Sequence, residues 1–279
     1  MADGQIWLKP FGSWASQDER NNIAGFDSNT YGLMVGADTA LGDDSKRLGV
    51  AASYSATSVD SNSVTADQTA DITAYQLSIY GSHEISDDTA FDFNIGLGLN
   101  STDGERTIDF ASIDRIASSD YDGTSAHIGA EIGRAFDLDS KSTIIPSLRA
   151  NYTLISNDSY TETGADALNL VVDGQDTDEL VLGVGSLYQR SLNDAVTFNG
   201  ELGVGYDFLN EQASITSSFS GGGSSFVTYG IDPSPWLISG GLGLTVEQGS
   251  GLEFTASYEV ESRSDFLNQT ASLKLLMPF

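Results

Sequence analysis

Asp38, Asp92, Glu131, Glu201, Asp207 and Glu253, with Arg149 and Lys274, are the residues of this sequence whose types and spacing can do chemistry. Each alternates with apolar neighbours and shares its parity with Gly, Ser and Asn, so each belongs to the polar face of an extended segment. Paired carboxylates can serve as general acid and base, as in glycoside hydrolysis. The same groups line water-filled channels, which is the commoner reason for charge on such a face. Glu247, Glu259 and Glu261 share the parity, and His127 lies four residues before Glu131. The remaining catalytic repertoire is thin. There is no cysteine, which excludes disulfides, thiolate metal sites and thiol catalysis. His83 and His127 are the two histidines, and His83 falls near a turn, so no Ser-His-Asp arrangement is credible. We expect no metal, no cofactor and no enzymatic activity.

The elements that must position these side chains are strands. Phe91, Phe93, Ile95, Leu97 and Leu99 alternate with Asp92, Asn94, Gly96, Gly98 and Asn100. Phe198, Leu202, Val204, Tyr206 and Phe208 oppose Asn199, Glu201, Gly203, Gly205 and Asp207. Leu252, Phe254, Ala256, Tyr258 and Val260 oppose Glu253, Thr255, Ser257, Glu259 and Glu261. The last segment sets Leu267, Ala271, Leu273, Leu275, Met277 and Phe279 against Asn268, Thr270, Ser272 and Lys274. We read twelve strands: 6–19, 28–41, 47–60, 70–83, 89–103, 119–137, 141–158, 177–191, 195–209, 234–248, 251–263 and 266–279. The connections alternate in length. Short ones at 42–46, 84–88, 138–141, 192–194 and 248–250 carry the Asp, Gly, Asn and Ser of tight turns. Long ones occupy 20–27, 61–69, 104–118, 159–176 and 210–233. A hairpin near Ser264–Asp265 breaks that alternation.

Composition narrows the class. Forty acidic residues against 12 basic ones give a formal charge of −28 in 279 residues, which argues against nucleic acid as a partner. With 39% hydrophobic residues, 30 glycines and 5 prolines the chain is folded and rich in strands. No stretch approaches the ~20 apolar residues of a membrane helix. That leaves membrane barrels open, because only every second residue of such a strand meets lipid. A soluble sandwich is the rival. Its strands usually run about 5–6 residues, whereas these run ~12–15 and a tilted span needs ~9–11. A sealed core built of the polar parity would also bury unpaired groups, and a wet lumen removes that difficulty. We therefore expect an all-β chain forming one transmembrane, antiparallel, up-and-down barrel over residues 1–279, with short turns at one end and long loops at the other.

Several stretches in order carry a family resemblance: IWLKPFGSW at 6–14, YGLMVGADTALGDDSKRLGVAASYS at 31–55 and IDRIASSDYDGTSAHIGAEIGRAF at 113–136. They continue with IIPSLRANYTLISNDSYTETGADALNL at 144–170, FSGGGSSFVTYGIDP at 219–233 and LKLLMPF at 273–279. On these residues the chain resembles the β-domain, or translocator, of the monomeric type V autotransporters of Gram-negative outer membranes. The resemblance implies twelve strands with both termini in the periplasm. It also implies an upstream passenger exported with this domain's help, and a linker helix in the lumen. Periplasmic chaperones, the outer-membrane assembly machinery and lipid or lipopolysaccharide follow as partners, for a barrel expected to be a monomer. Family precursors carry a signal peptide, passenger and helix first, so a strand beginning this early suggests an excised translocator behind an added Met1. Some relatives cut their own linker with lumenal acids, but that needs a linker asparagine, and none can be assigned here.

Leu273, Leu275, Met277 and the terminal Phe279 share one face and resemble the signal that the assembly machinery reads in its clients. The glycine pairs Gly96/Gly98, Gly183/Gly185, Gly203/Gly205 and Gly241/Gly243 complete no phosphate-binding loop. They suit wall curvature, and also a backbone lying close along the wall. Trp7, Trp14, Tyr31, Tyr54, Tyr75, Phe136, Tyr188, Trp236 and Tyr258 are expected in the two aromatic girdles, with Trp7 ambiguous in parity. The rival function is a stand-alone pore or surface adhesin that has no passenger.

Overall fold

In a computed structural model of the chain, residues 4–63, 66–249 and 251–279 are described. Met1 and the readings attached to it lie outside them. Twelve long strands form one antiparallel barrel among the described residues. They are β1 (Gly4–Gln17), β2 (Phe26–Leu41), β3 (Asp43–Ser61), β4 (Gln68–Ser86), β5 (Thr89–Phe110) and β6 (Ile113–Arg134). The second half holds β7 (Ser142–Asn157), β8 (Gln175–Asn193), β9 (Val196–Asp207), β10 (Trp236–Glu247), β11 (Glu253–Arg263) and β12 (Phe266–Pro278). Each strand pairs with its sequence neighbours, and the last closes on the first through pairs such as Leu8↔Leu275 and Gln17↔Phe266. Among the described residues closure pairs the last strand with the first, so the wall's amides can be satisfied between strands without water.

The period of two sorts the side chains. Leu77, Leu97 and Leu202 stand outward, with relative exposures of 70%, 67% and 71%. Such exposure of large apolar residues is tolerable where the solvent is lipid. The opposite parity faces inward. On the outer surface Trp14 and Tyr31 meet edge to face at 6.4 Å, and Tyr54 and Tyr75 lie tilted at 5.3 Å. Trp7 departs from the expected girdle. Its indole points into the lumen, because Ile6 and Leu8 take the outward parity on β1.

Residues 104–118 also depart from expectation. Instead of a long loop, β5 and β6 run on to a tight turn in which Ala111 has φ 56°. The reason is a reversal of pattern. Above the membrane no lipid rewards outward apolar groups, so Asp103, Glu105 and Asp109 lie outside while Ile108 turns inward. Against that inner face fold two loop hairpins. Tyr160–Thr161, Leu170–Val172, Ser214–Phe219 and Phe226–Tyr229 form a second, four-stranded sheet, with a 3-10 turn at Asp166–Leu168. Ile108, Ala117 and Ala165, all buried, make the small apolar core of this cap.

Candidate functional site: the barrel lumen

The inward face is polar and clustered toward the end where the termini meet. Trp7, Asp38, Tyr80, Asp92, Glu131, Arg149 and Lys274 line one cavity of about 540 Å³. On its β1–β4 side a chain of hydrogen bonds links four strands. The Trp7 indole N–H donates to Tyr80 Oη at 2.5 Å, and Tyr80 donates to Asp38 Oδ2 at 2.8 Å. Arg47 Nε donates to Asp38 Oδ1 at 2.8 Å. Glycine makes these positions possible. A Cβ on Gly36 would sit 2.4 Å from the Trp7 ring, and one on Gly49 would sit 2.4 Å from Tyr80. Lys274 Nζ completes the group, 5.5 Å from the Trp7 ring centroid.

Across the lumen, Arg149 lies between two carboxylates. It reaches Glu201 at 2.6 Å and Glu131 at 3.5 Å, and its guanidinium lies over Gly185, where a Cβ would stand 2.3 Å from Nη2. Asp92 faces Glu131 directly across the β5–β6 ladder. Arg149 and Glu201 also line a second cavity of about 390 Å³ nearer the loops, with Glu259, Glu261 and His127. His127 bonds Thr153 there at 3.0 Å. Glu253 stands apart, in a cavity among the short turns with Lys141 and Glu247. Asp207 is separate again. It is 4% exposed at the loop end and accepts the amides of Leu180 at 3.2 Å and Leu209 at 3.1 Å. That places it in a backbone-capping position. Among the described residues no group of three or more acids and histidines is placed to hold a metal ion.

Tyr80, Arg47 and Arg263 are site residues that the sequence reading missed. Parity held the signal for the first two, since Tyr80 alternates with Ile79 and Gly81, and Arg47 with Leu48. Arg263 binds Glu179 and lies 3.9 Å from Asp207, joining β11 to β8 and β9. Some inward glycines are covered by neighbouring polar side chains: a Cβ on Gly96 would meet Gln76 Nε2 at 2.2 Å, and one on Gly98 would meet Ser125 Oγ at 2.3 Å. At the other terminus, Leu273 is exposed on the outer face. Leu275 and Met277 share its parity and pair with Leu8 and Ile6. Phe279 donates its amide to Gly4 O at 2.9 Å, and its ring occupies the space a Gly4 Cβ would fill.

A closed barrel with an apolar outside, a charged lumen and long loops at one end is the plan of an outer-membrane translocator. Residues 6–259 match the model of the autotransporter β-domain family. The chain belongs to that family. Over 285 residues it is 24% identical to outer membrane protein B of Rickettsia prowazekii, covering 98% of this chain and 17% of that protein. It is also 24% identical over 267 residues to esterase EstA of Pseudomonas aeruginosa, covering 94% of this chain and 41% of EstA. The chain thus spans about a sixth of the rickettsial relative's length. In fold it is similar to the translocator domain of autotransporter NalP from Neisseria meningitidis, with TM-score 0.81, 17% identity and coverage of 100% and 89%. The transport unit of AIDA-I from Escherichia coli gives TM-score 0.72 at 12% identity, covering 98% and 90%. This autotransporter β-domain is an integral outer-membrane barrel.

Proposed function

We propose that the passenger leaves through this lumen with a linker helix held beside Asp38, Asp92, Glu131, Arg149, Glu201 and Lys274. The observation that supports this reading is the contrast between faces. A wall apolar outside and charged inside keeps a polar segment hydrated as it passes, whereas an apolar lumen would desolvate it. Lumenal charge in excess of bases also favours cations in the channel. Glu253 extends that lining to the short-turn end, and Asp207 contributes at the loop end through the backbone it holds. Leu273, Leu275, Met277 and Phe279 serve as the face read by the assembly machinery after periplasmic chaperones deliver the chain. The barrel works as a monomer against lipid and lipopolysaccharide. Catalysis belongs to passengers; the esterase named for EstA is a property of that protein, of which this barrel matches the smaller part.

The test is display. An epitope-tagged reporter with a helical linker is fused ahead of Gly4 and produced in a Gram-negative host. The tag should be shaved from intact cells by external protease. A tag retained in the periplasm behind a folded, heat-modifiable barrel would favour a stand-alone pore or adhesin instead. Replacing Phe279 by Ser should lower barrel yield in cells far more than refolding into detergent.

A further inference from the structure

The outer wall carries a feature that export does not use. An apolar groove of about 600 Å³ crosses β6 to β9. Its floor is Ala130 and Ala150, which are direct partners in the β6–β7 register. Ile132 and Leu148, the next outward pair, form one bank. Leu182 and Tyr206 carry the groove toward the loop end, where Tyr206 meets Phe208 and Trp236 at 5.0 Å, each ring edge to face.

Charge enters at the opposite end. Arg134 follows Ile132 by two residues on the same outward face, and pairs with Thr89, which precedes the groove residue Phe91 by two. It is the last residue of β6, at the short-turn and hence periplasmic rim. Its guanidinium lies 2.7 Å from Asp88, yet its side chain stays 59% exposed, and the Phe136 ring centroid lies 5.4 Å from Cζ. A hollow between large side chains in a hydrocarbon band must be filled by hydrocarbon, or its lining loses contacts on one side. A guanidinium with donors to spare at the band's edge fits a phosphodiester, whose oxygens match its fork.

We infer that this groove binds one glycerophospholipid of the periplasmic leaflet, its phosphate on Arg134 and one acyl chain along Ala130 and Ala150. A small-residue floor also lies over Ala37 and Ala52 on β2 and β3; what distinguishes the β6–β9 groove is the forked guanidinium of Arg134 at its rim. The Trp236 end is closed by the rings of Tyr206, Phe208 and Trp236, whereas Arg134 stands four residues beyond Ala130 on the same outward face of β6. Arg134 decides the direction against an acyl chain descending from lipopolysaccharide.

The experiment uses the whole chain, isolated from outer membranes in mild detergent and incubated with palmitoyl-oleoyl-phosphatidylglycerol before native mass spectrometry. One retained lipid is expected. Arg134→Gln should weaken retention by about threefold to tenfold, the range for losing one charge-assisted contact at an exposed site. Ala130→Leu with Ala150→Leu fills the floor and should abolish retention while heat-modifiability persists. Ala37→Leu with Ala52→Leu, which fills a different outer groove, should change nothing. Equal retention in all four proteins, equal loss in the control, or a retained lipid A in place of the phospholipid would overturn the assignment. If the doubly filled variant fails to fold, Arg134→Gln against the native protein decides alone.

Discussion

Trp7 and Tyr80 meet inside the barrel at 6.0 Å between ring centroids, joined by the indole hydrogen bond, although they come from strands that are not neighbours. Gly36 and Gly49 supply the flat ground beneath them. The pair ties β1, at the closing seam, to β4 and through Asp38 to β2. Tyr80→Phe would leave the indole N–H and one Asp38 oxygen without their partner, at about 1–3 kcal/mol for a half-buried group. Lower urea midpoints for detergent-refolded barrel should report it. Gly36→Val should be worse, since its side chain must displace the Trp7 ring.

Arg149 is the base shared by Glu131 and Glu201. Arg149→Ala releases both carboxylates into the channel, so reversal potentials in planar bilayers should shift toward stronger cation selectivity. The shift should fade as salt rises, because the screening length falls from about 30 Å at 0.01 M to about 3 Å at 1 M. Unchanged selectivity at low salt would place the conducting path elsewhere.

Glu162 anchors the extracellular cap. It is 6% exposed and accepts Arg106 Nη2 at 2.5 Å, Arg106 Nε at 2.9 Å and the Leu170 amide at 2.7 Å. Arg106→Ala leaves a buried carboxylate uncompensated, which costs on the order of 3–5 kcal/mol where water cannot reach it. The loop at 158–174 should then become cleavable by protease on intact cells, while the barrel keeps its heat-modifiability. Protection equal to the native protein would refute the anchor.

Tyr160 stacks on Tyr121 at 4.5 Å, and burial, aided by Tyr121 and Glu162, pushes its hydroxyl up to about 12. The fold favours the neutral phenol. Its stabilising contribution is therefore complete below the free value of about 10 and is lost as pH climbs through about 12. Cap proteolysis should accelerate across that window, and Tyr160→Phe should remove this share of the pH dependence.

Asp71, Asp103 and Asp120 lie directly opposite one another on three adjacent strands of the outer wall, with Ser58 donating to Asp71 at 2.7 Å. Like charges in register repel. Asp103→Asn should stabilise the barrel by about 0.2–1 kcal/mol at low ionic strength. The gain should shrink in high salt, which thermal melts in detergent at two salt concentrations will show.

Much of this protein is legible in one dimension. A repeat of two residues determines which side chains share a face, and so groups Asp92, Glu131, Arg149 and Glu201. Strand length and turn chemistry then gave twelve strands and the end carrying most of the long loops, because a bilayer sets a fixed span. Parity by itself cannot say which face is inside, and it fails wherever the solvent changes. Residues 104–118 left the lipid and reversed their pattern, so their strands looked like a loop. Trp7 looked like a girdle residue because one strand's parity says nothing about the glycines opposite it. Asp207 shares the lumenal parity, yet it is buried and accepts the amides of Leu180 and Leu209 as a backbone cap. Those outcomes depend on register between strands, as in Trp7 over Gly36 and Arg149 over Gly185. Closure of the barrel decides register, since one strand's neighbours are set only when the last strand meets the first.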